Sequence, residues 1–497
     1  MHDQIDSKRR NLFKGGALAA AIPFVGTLEA FSAKRADAAP PASTASTSIT
    51  GRYGPVRPVK DLNTGLELLQ LPAGFNYRSF SWAGDMMANG QPVPRGHDGM
   101  AVVRETNGPR GPETVLIRNH ELGEGDALIG ARGQYDSNRV QGGTTNIFFR
   151  HGAAETPTTV PSLGGTLVNC AGGVTPWETW LSCEETIADR TAVGGKKHGY
   201  VFEVTPDPIN TTGQPIVEMG RFSHEAVAVD PSTSIVYLTQ DDRNKSALYR
   251  FIPRDGSMDI GSLARGGTLQ AARVKGMPNA SLLVAKLGDT YDLEWITIPN
   301  PDADPEAFFV PDASGLTAGP FIQAWERGAL RMSRGEGAWY FNRKMYFVDT
   351  SAGVDSGGRP GRGEGAVWEL DLATMRLKAI FVSGNAVAGN NPDNITVSPR
   401  GGVLLCEDGG GVADEYGFGD RMMGLNPDGT SYIFAKNNVN LTPQDVAQAG
   451  KRVAPEDYRD NEFAGACFDA KGGTLFVNIQ TPGITFAIWG PWNRGSL

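Results

Sequence analysis

An all-β chain folded as a β-propeller with six blades is what the sequence predicts, on three observations. Six short segments share one pattern, β-rich residues followed by polar or acidic ones, and most recur at a spacing near 60 residues. Each is followed by a second apolar segment, and most are preceded by a third. Gly occurs 64 times and Pro 32 times in 497 residues, so turns are frequent and long helices are disfavoured. Strand, turn, strand, loop, strand, repeated around a ring, is how propeller blades are written.

The first element is an address. Ser7 to Lys14 reads SKRRNLFK, with Arg9-Arg10 ahead of the apolar run Gly15 to Leu28. Ala36-Asp37-Ala38 follows as an A-x-A cleavage pattern, so residues 1–38 are expected to be a twin-arginine signal peptide. The apolar run is too short and too rich in Gly and Ala for a membrane span. Such signals carry folded proteins through the twin-arginine export machinery, which favours a cofactor acquired before export. A periplasmic or secreted monomer without a stable membrane anchor is the expectation. Residues 39–50 are small and polar, and are expected to be a flexible leader before a single catalytic domain, 51–497.

The repeats come next. They are VLIRNHE (Val115–Glu121), TWLSCEE (Thr179–Glu185), VYLTQDD (Val236–Asp242), MYFVDTS (Met345–Ser351), VLLCEDG (Val403–Gly409) and LFVNIQT (Leu475–Thr481). The 108 residues from Asp241 to Asp349 break the spacing, which predicts an insertion between blades at about 256–331. Innermost strands of a propeller line its channel, and here they begin at His97-Asp98, Asn169-Cys170, His224-Glu225, Gly335-Glu336, Asp393-Asn394 and Ala464-Gly465. The following segments end in Glu121, Cys183-Glu184-Glu185, Asp241-Asp242, Asp349 and Glu407-Asp408. Two like charges 4 Å apart repel by about 4 kcal/mol at an effective dielectric near 20, so such a set needs cations or protons. Oxygen-rich ligands suit calcium, and a cysteine among them shifts part of the site toward iron.

Composition narrows the field. A net charge of −9 gives no footprint for nucleic acid. Four cysteines without a C-x-x-C pair exclude a zinc ribbon, and six His argue against a His-rich metal site. There is no G-x-S-x-G elbow and no Walker-A loop. Arg334 stands two residues before Glu336, on the same face of an extended strand, where its fork suits a phosphate.

Taken together, GHDGMAVV, IRNHELG, NCAGGVTPWETWLSCEE, GRFSHEAVAVDP, RGEGAWY, NPDNITVSPRGGVLLCEDGGG and EFAGACFDAKGGTLFVNIQTPG closely resemble the PhoX family of bacterial alkaline phosphatases. The resemblance covers nearly the whole mature chain. It implies an exported phosphatase that hydrolyses phosphate monoesters with Fe(III) and Ca²⁺. It further implies Cys183 as the thiolate bridging the irons, Glu225 and Glu336 as iron-linked carboxylates, and Arg334 as the phosphate clamp. Glu121, Glu184, Asp393, Glu407 and Asp408 are implied as calcium ligands, and Arg494 as a second phosphate contact. Asp98, Asp241 and Asp349 are added by repeat phase alone. Two other readings fit the acidic channel: a calcium-dependent lactonase or arylesterase on a six-bladed propeller, and a non-catalytic binding propeller stabilised by calcium. Neither gives Arg334 or Cys183 a role.

Overall fold

The computed structural model describes residues 46–108, 111–125, 129–152 and 156–497. The expected signal peptide and most of the expected leader lie outside the described residues. From Ser46 onward the leader is docked rather than free: Ser46 bridges Ser383, Ser48 bridges Ser431, and the Ile49 amide donates to the Ser431 carbonyl at 2.8 Å.

Apolar-polar alternation and closely spaced Gly and Pro produce short antiparallel strands joined by tight turns. Four sheets are blade-like. Strands His97–Gly108, Gly111–His120, Gly142–Arg150 and Thr158–Thr166 form the first, with a two-residue edge piece, Gly133–Gln134. Asn169–Val174, Trp180–Glu184 and Val201–Val204 form the second. Pro392–Val397, Val403–Glu407, Arg421–Leu425 and Ser431–Asn437 form another, extended outward by Leu69–Pro72 and Val56–Val59. In the last, Phe463–Phe468, Thr474–Ile479 and Ile484–Trp489 are completed by Asn76–Phe80 from the start of the chain. This pairing ties an early strand to the C-terminal hairpin, and the inner strands of the first and last sheets, His97–Gly108 and Phe463–Phe468, lie against each other.

The third and fourth repeats do not make separate sheets. His224–Val229, Val236–Gln240, Tyr249–Pro253, Gly267–Val274 and Thr290–Thr297 run into Arg376–Val382, Ala366–Asp371, Lys344–Asp349 and Gly335–Phe341 as one nine-stranded sheet. The joint is Thr290–Asp292 paired with Lys378–Arg376, and the two terminal strands, His224–Val229 and Gly335–Phe341, lie against each other so that the sheet nearly closes. The predicted insertion, 256–331, supplies two of these strands and the helix Gly319–Glu326, whose Phe321 and Ala324 are buried in the core. The architecture is therefore all-β and propeller-like, with four blade-like sheets and one large one.

The core lies between sheets. Phe80, Met100, Leu116, Ile147, Phe149 and Phe476 interlock the first sheet with the last. Each such side chain, fully buried, contributes about 1.5–3 kcal/mol. That packing holds the inner strands in register around the axis. No helix among the described residues is long and apolar enough to cross a membrane.

Candidate metal centre

Six inner hairpins share one local irregularity. Register shifts occur between His97 and Met100, between Asn169 and Gly172 opposite Ser182 and Glu184, and between His224 and Val227. They recur between Gly335 and Ala338, Pro392 and Ile395, and Ala464 and Cys467. A bulge re-aims the side chain beside it. Here the re-aimed position is the second residue of the inner strand, which is Asp98, Cys170, Glu225, Glu336 and Asp393 in five of them. The first residue beyond the neighbouring strand adds Glu121, Glu185, Asp241, Asp408 and Gln480. Glycines let the strands approach. A Cβ on Gly99 would stand 2.6 Å from Ala171 Cα, and one on Gly465 2.5 Å from the Asp98 carbonyl.

The donors form four overlapping groups, each with its ligand atoms within 4.8 Å of one another. They are Cys170, Glu185 and Glu225; Glu225, Glu336 and Asp393; Asp393, Asp408 and Glu462; and Asp98, Glu121 and Glu462. Shared members Glu225, Asp393 and Glu462 link them into one continuous chain of nine donors, eight carboxylates and a thiol. Gln480 Nε2 ties one end, donating to Asp98 Oδ2 at 3.2 Å and Glu121 Oε2 at 2.5 Å. Arg334 borders the other side, with Nη2 at 2.6 Å from Glu336 Oε1, Nε at 3.2 Å from Asp241, and Nη2 at 3.8 Å from Asp408. Its φ of 63° is left-handed, a conformation that costs a non-glycine residue about 1–3 kcal/mol and persists where surroundings impose it.

The electrostatics follow from burial. Desolvation pushes Asp98 up to about 6 against hydrogen bonds from Gln480 and Glu121, and pushes Asp393 to about 8 with Asp408 and Asp98 adding to it. Burial and then like charge hold Glu121, Glu185, Glu225 and Glu336 well above the usual carboxylate range. Burial opposes the Arg334 charge, but Asp241 and Glu336 overcome it and raise its pKa. Burial also raises the Cys170 thiol, with Glu225 and Glu185 next. Without cations this set holds protons. With cations it is a cage of hard oxygen ligands and one sulfur.

A pH prediction follows. Unfolded carboxylates titrate near about 4. Between there and the raised folded values the native metal-free protein binds more protons than the unfolded one, so its stability falls as pH rises through about 6 and 8. The metal-free protein is expected to melt lower at pH 9 than at pH 5, by about 5 °C or more. Thermal unfolding with and without metal checks this, since bound cations reverse the sign. A metal-free protein that gained stability with pH would contradict it.

The structure brings together Glu121, Glu225, Glu336, Asp393, Asp408 and Asp98, with Arg334 and Asp241 beside them. Four expected ligands lie elsewhere. Cys183 points into apolar packing, pairs with Val201 on the adjacent strand and is fully buried, whereas Cys170 faces Glu185 and Glu225. Glu184 points away from its neighbour Glu185. Its Oε1 lies 2.6 Å from His198 Nδ1, and its oxygens accept from the Leu167, Gly199 and Tyr200 amides. Glu407 is paired with Arg421 at 2.7 Å, both fully buried. Asp349 accepts from the Ser333 amide at 3.0 Å and is in none of the donor groups. Alternation accounts for Glu184 and Glu407: successive strand residues face opposite sides, so each turns away while Glu185 or Asp408 beside it meets the donors. Arg494 donates to the Ala73 carbonyl at 3.0 Å, near the Asn76–Trp489 end of its sheet and away from Gln480. Cys170, Glu185 and Glu462 are the members sequence assignment missed. The first two carried a usable signal, since their positions match Asp98 and Glu121 in the repeat.

Comparison with known proteins gives a family and a fold. The family model for alkaline phosphatase PhoX matches residues 51–155 and 148–483. The structure of Pseudomonas fluorescens PhoX in complex with vanadate, a transition state analogue, superposes with a TM-score of 0.60 at 17% identity, covering 89% of this chain and 99% of that one. The gluconolactonase XC5397 from Xanthomonas campestris reaches a TM-score of 0.35 at 12% identity, covering 92% of this chain and 99% of that one. None of the curated proteins matches the sequence.

Proposed function

The chain belongs to the family of PhoX alkaline phosphatases, and on that premise we propose that it hydrolyses phosphate monoesters at an iron and calcium cluster held in its channel mouth. The observation that carries this reading is the continuous chain of eight carboxylates and one thiol with the Arg334 guanidinium at its edge. The donor set fits both metals: calcium takes six to eight oxygens, and a thiolate among carboxylates favours iron. Cys170, Glu185, Glu225 and Glu336 would hold iron, and Asp98, Glu121, Asp393, Asp408 and Glu462 would hold calcium. When bound, the cations neutralise charge on the phosphoryl and leaving oxygens and activate an oxygen nucleophile.

The chain's own residues supply binding and orientation. Arg334 presents a planar fork, held by Asp241 and Glu336, that matches two phosphoryl oxygens. Because those carboxylates fix it beforehand, little reorganisation is needed as charge develops. Gln480 fixes the two carboxylates at the opposite end. Within this reading the nine-stranded sheet counts as two blades, giving six around the axis. The Arg9-Arg10 signal would send the folded, loaded enzyme to the periplasm or beyond.

Stripping metals with a strong chelator is expected to abolish release of p-nitrophenol from p-nitrophenyl phosphate at alkaline pH, by at least about a hundredfold. Iron and calcium together, but neither alone, should restore it. Full activity of a stripped protein would refute the proposal.

A further inference from the structure

Arg334 is not the only guanidinium at the mouth. Two more lie close to it, and neither has a carboxylate partner among the described residues. Arg243 follows Asp241-Asp242 directly. Its Nη1 donates to the Gly361 carbonyl at 3.0 Å. Arg362 comes next after Gly361, and its amide reaches the Gly353 carbonyl at 3.4 Å. Both side chains are half-buried. The Arg334 and Arg362 charges are near enough to press on Arg243, which also senses Asp241 and Glu336.

The backbone builds this juxtaposition on purpose-made contacts. The Arg334 amide lies 3.3 Å from the Asp242 carbonyl, so the two arginine-bearing turns are tied. Gly361 has a φ of 66°, and a Cβ there would stand 1.9 Å from Asn244 Oδ1, so only glycine lets the loop carrying Arg362 come this close. Of the fully buried arginines elsewhere, Arg421 pairs with Glu407 and Arg221 with Asp304, while Arg118 is held by Ser81, His97, Thr145 and Thr485. Arg334 and Arg362 add positive charge beside Arg243 that Asp241 and Glu336 offset only in part, and a charged oxyanion between them would complete the balance through charge-assisted hydrogen bonds.

We infer that Arg243 and Arg362 form a second anion subsite beside Arg334, which takes an oxyanion carried by the alcohol part of the substrate. This rests on the phosphatase reading and deepens it: preferred esters carry a second negative group a few bonds from the phosphate. Arg334 holds the phosphoryl group to be removed, and the pair holds the rest of the molecule.

The test compares 3-phosphoglycerate with glycerol 3-phosphate, which differ by a carboxylate in place of a hydroxymethyl group. On the metal-loaded enzyme, kcat/KM is expected to favour 3-phosphoglycerate by about tenfold, mainly through KM, as loss of a charged hydrogen-bonding pair implies. Arg243→Gln and Arg362→Gln should each lower that ratio severalfold, and together bring it near one. Glutamine keeps a polar end while removing the charge, and metal content with thermal unfolding checks that each variant is intact. A wild-type ratio near one, or a ratio unchanged in intact variants, overturns the inference while leaving the phosphatase reading standing. If the loaded enzyme releases phosphate from neither ester nor from p-nitrophenyl phosphate, both fall.

Discussion

Arg334→Ala is expected to lower kcat/KM for p-nitrophenyl phosphate by roughly a hundred- to a thousandfold, the usual cost of removing one preorganised donor to developing charge. Iron and calcium content should stay as in the parent protein. The separation of the two effects follows from the geometry. Arg334 touches Glu336 and Asp408, members of the donor chain, but supplies no ligand atom itself. Arg334→Lys should recover little, because a point charge cannot reproduce a fork held by Asp241 and Glu336 at once. Steady-state kinetics beside elemental analysis distinguishes the outcomes. An alanine variant within threefold of the parent would remove Arg334 from the site.

Cys170→Ala and Cys183→Ala are expected to differ sharply. Cys170 sits among Glu185 and Glu225, and its thiol lies 3.2 Å from the His224 carbonyl. Deleting its sulfur removes the one soft ligand in an oxygen cage. Iron should be lost, and activity should fall by at least about a hundredfold, the upper end of what ligand-shell changes cost. Cys183 is a small buried apolar group, so its alanine variant should keep iron and activity and lose about 1 kcal/mol of stability. Loss of iron from the Cys183 variant alone would restore the sequence-based assignment and reverse this one.

That reversal shows what was legible in the chain. Repeat phase located the mouth: Asp98, Glu225, Glu336 and Asp393 occupy one position in the bulged inner strands, and Glu121 and Asp408 one position after the next strand. What phase left open was the last step of register. Cys183-Glu184-Glu185 offers three adjacent donors, and only the side each faces decides between them. The strand ends at Glu184, so Glu185 turns to the mouth while Glu184 meets His198. Glu407-Asp408 resolves the same way, through Arg421. Glu462 was hidden because it precedes its strand, Phe463–Phe468, instead of occupying the shared second position.

The fold shows the same division. Strand order within each repeat was readable because hairpins are local. The fusion of the third and fourth repeats was not, because it depends on Thr290–Asp292 meeting Arg376–Lys378 about 86 residues apart. The docking of Asn76–Phe80 on Ile484–Trp489 is likewise a contact between the two ends of the chain. Arg334 was readable from its spacing to Glu336, whereas the neighbouring Arg243 and Arg362 came from separate loops that only the folded backbone joins.

The most direct test of a thiolate-containing metal cluster that cleaves phosphate esters is elemental analysis of the folded protein, run beside a p-nitrophenyl phosphate assay at alkaline pH. Iron and calcium in the same molecule, visible absorption lost in Cys170→Ala, and phosphate release are the predicted result. Calcium without iron, and no phosphate released by the fully loaded protein, would contradict it.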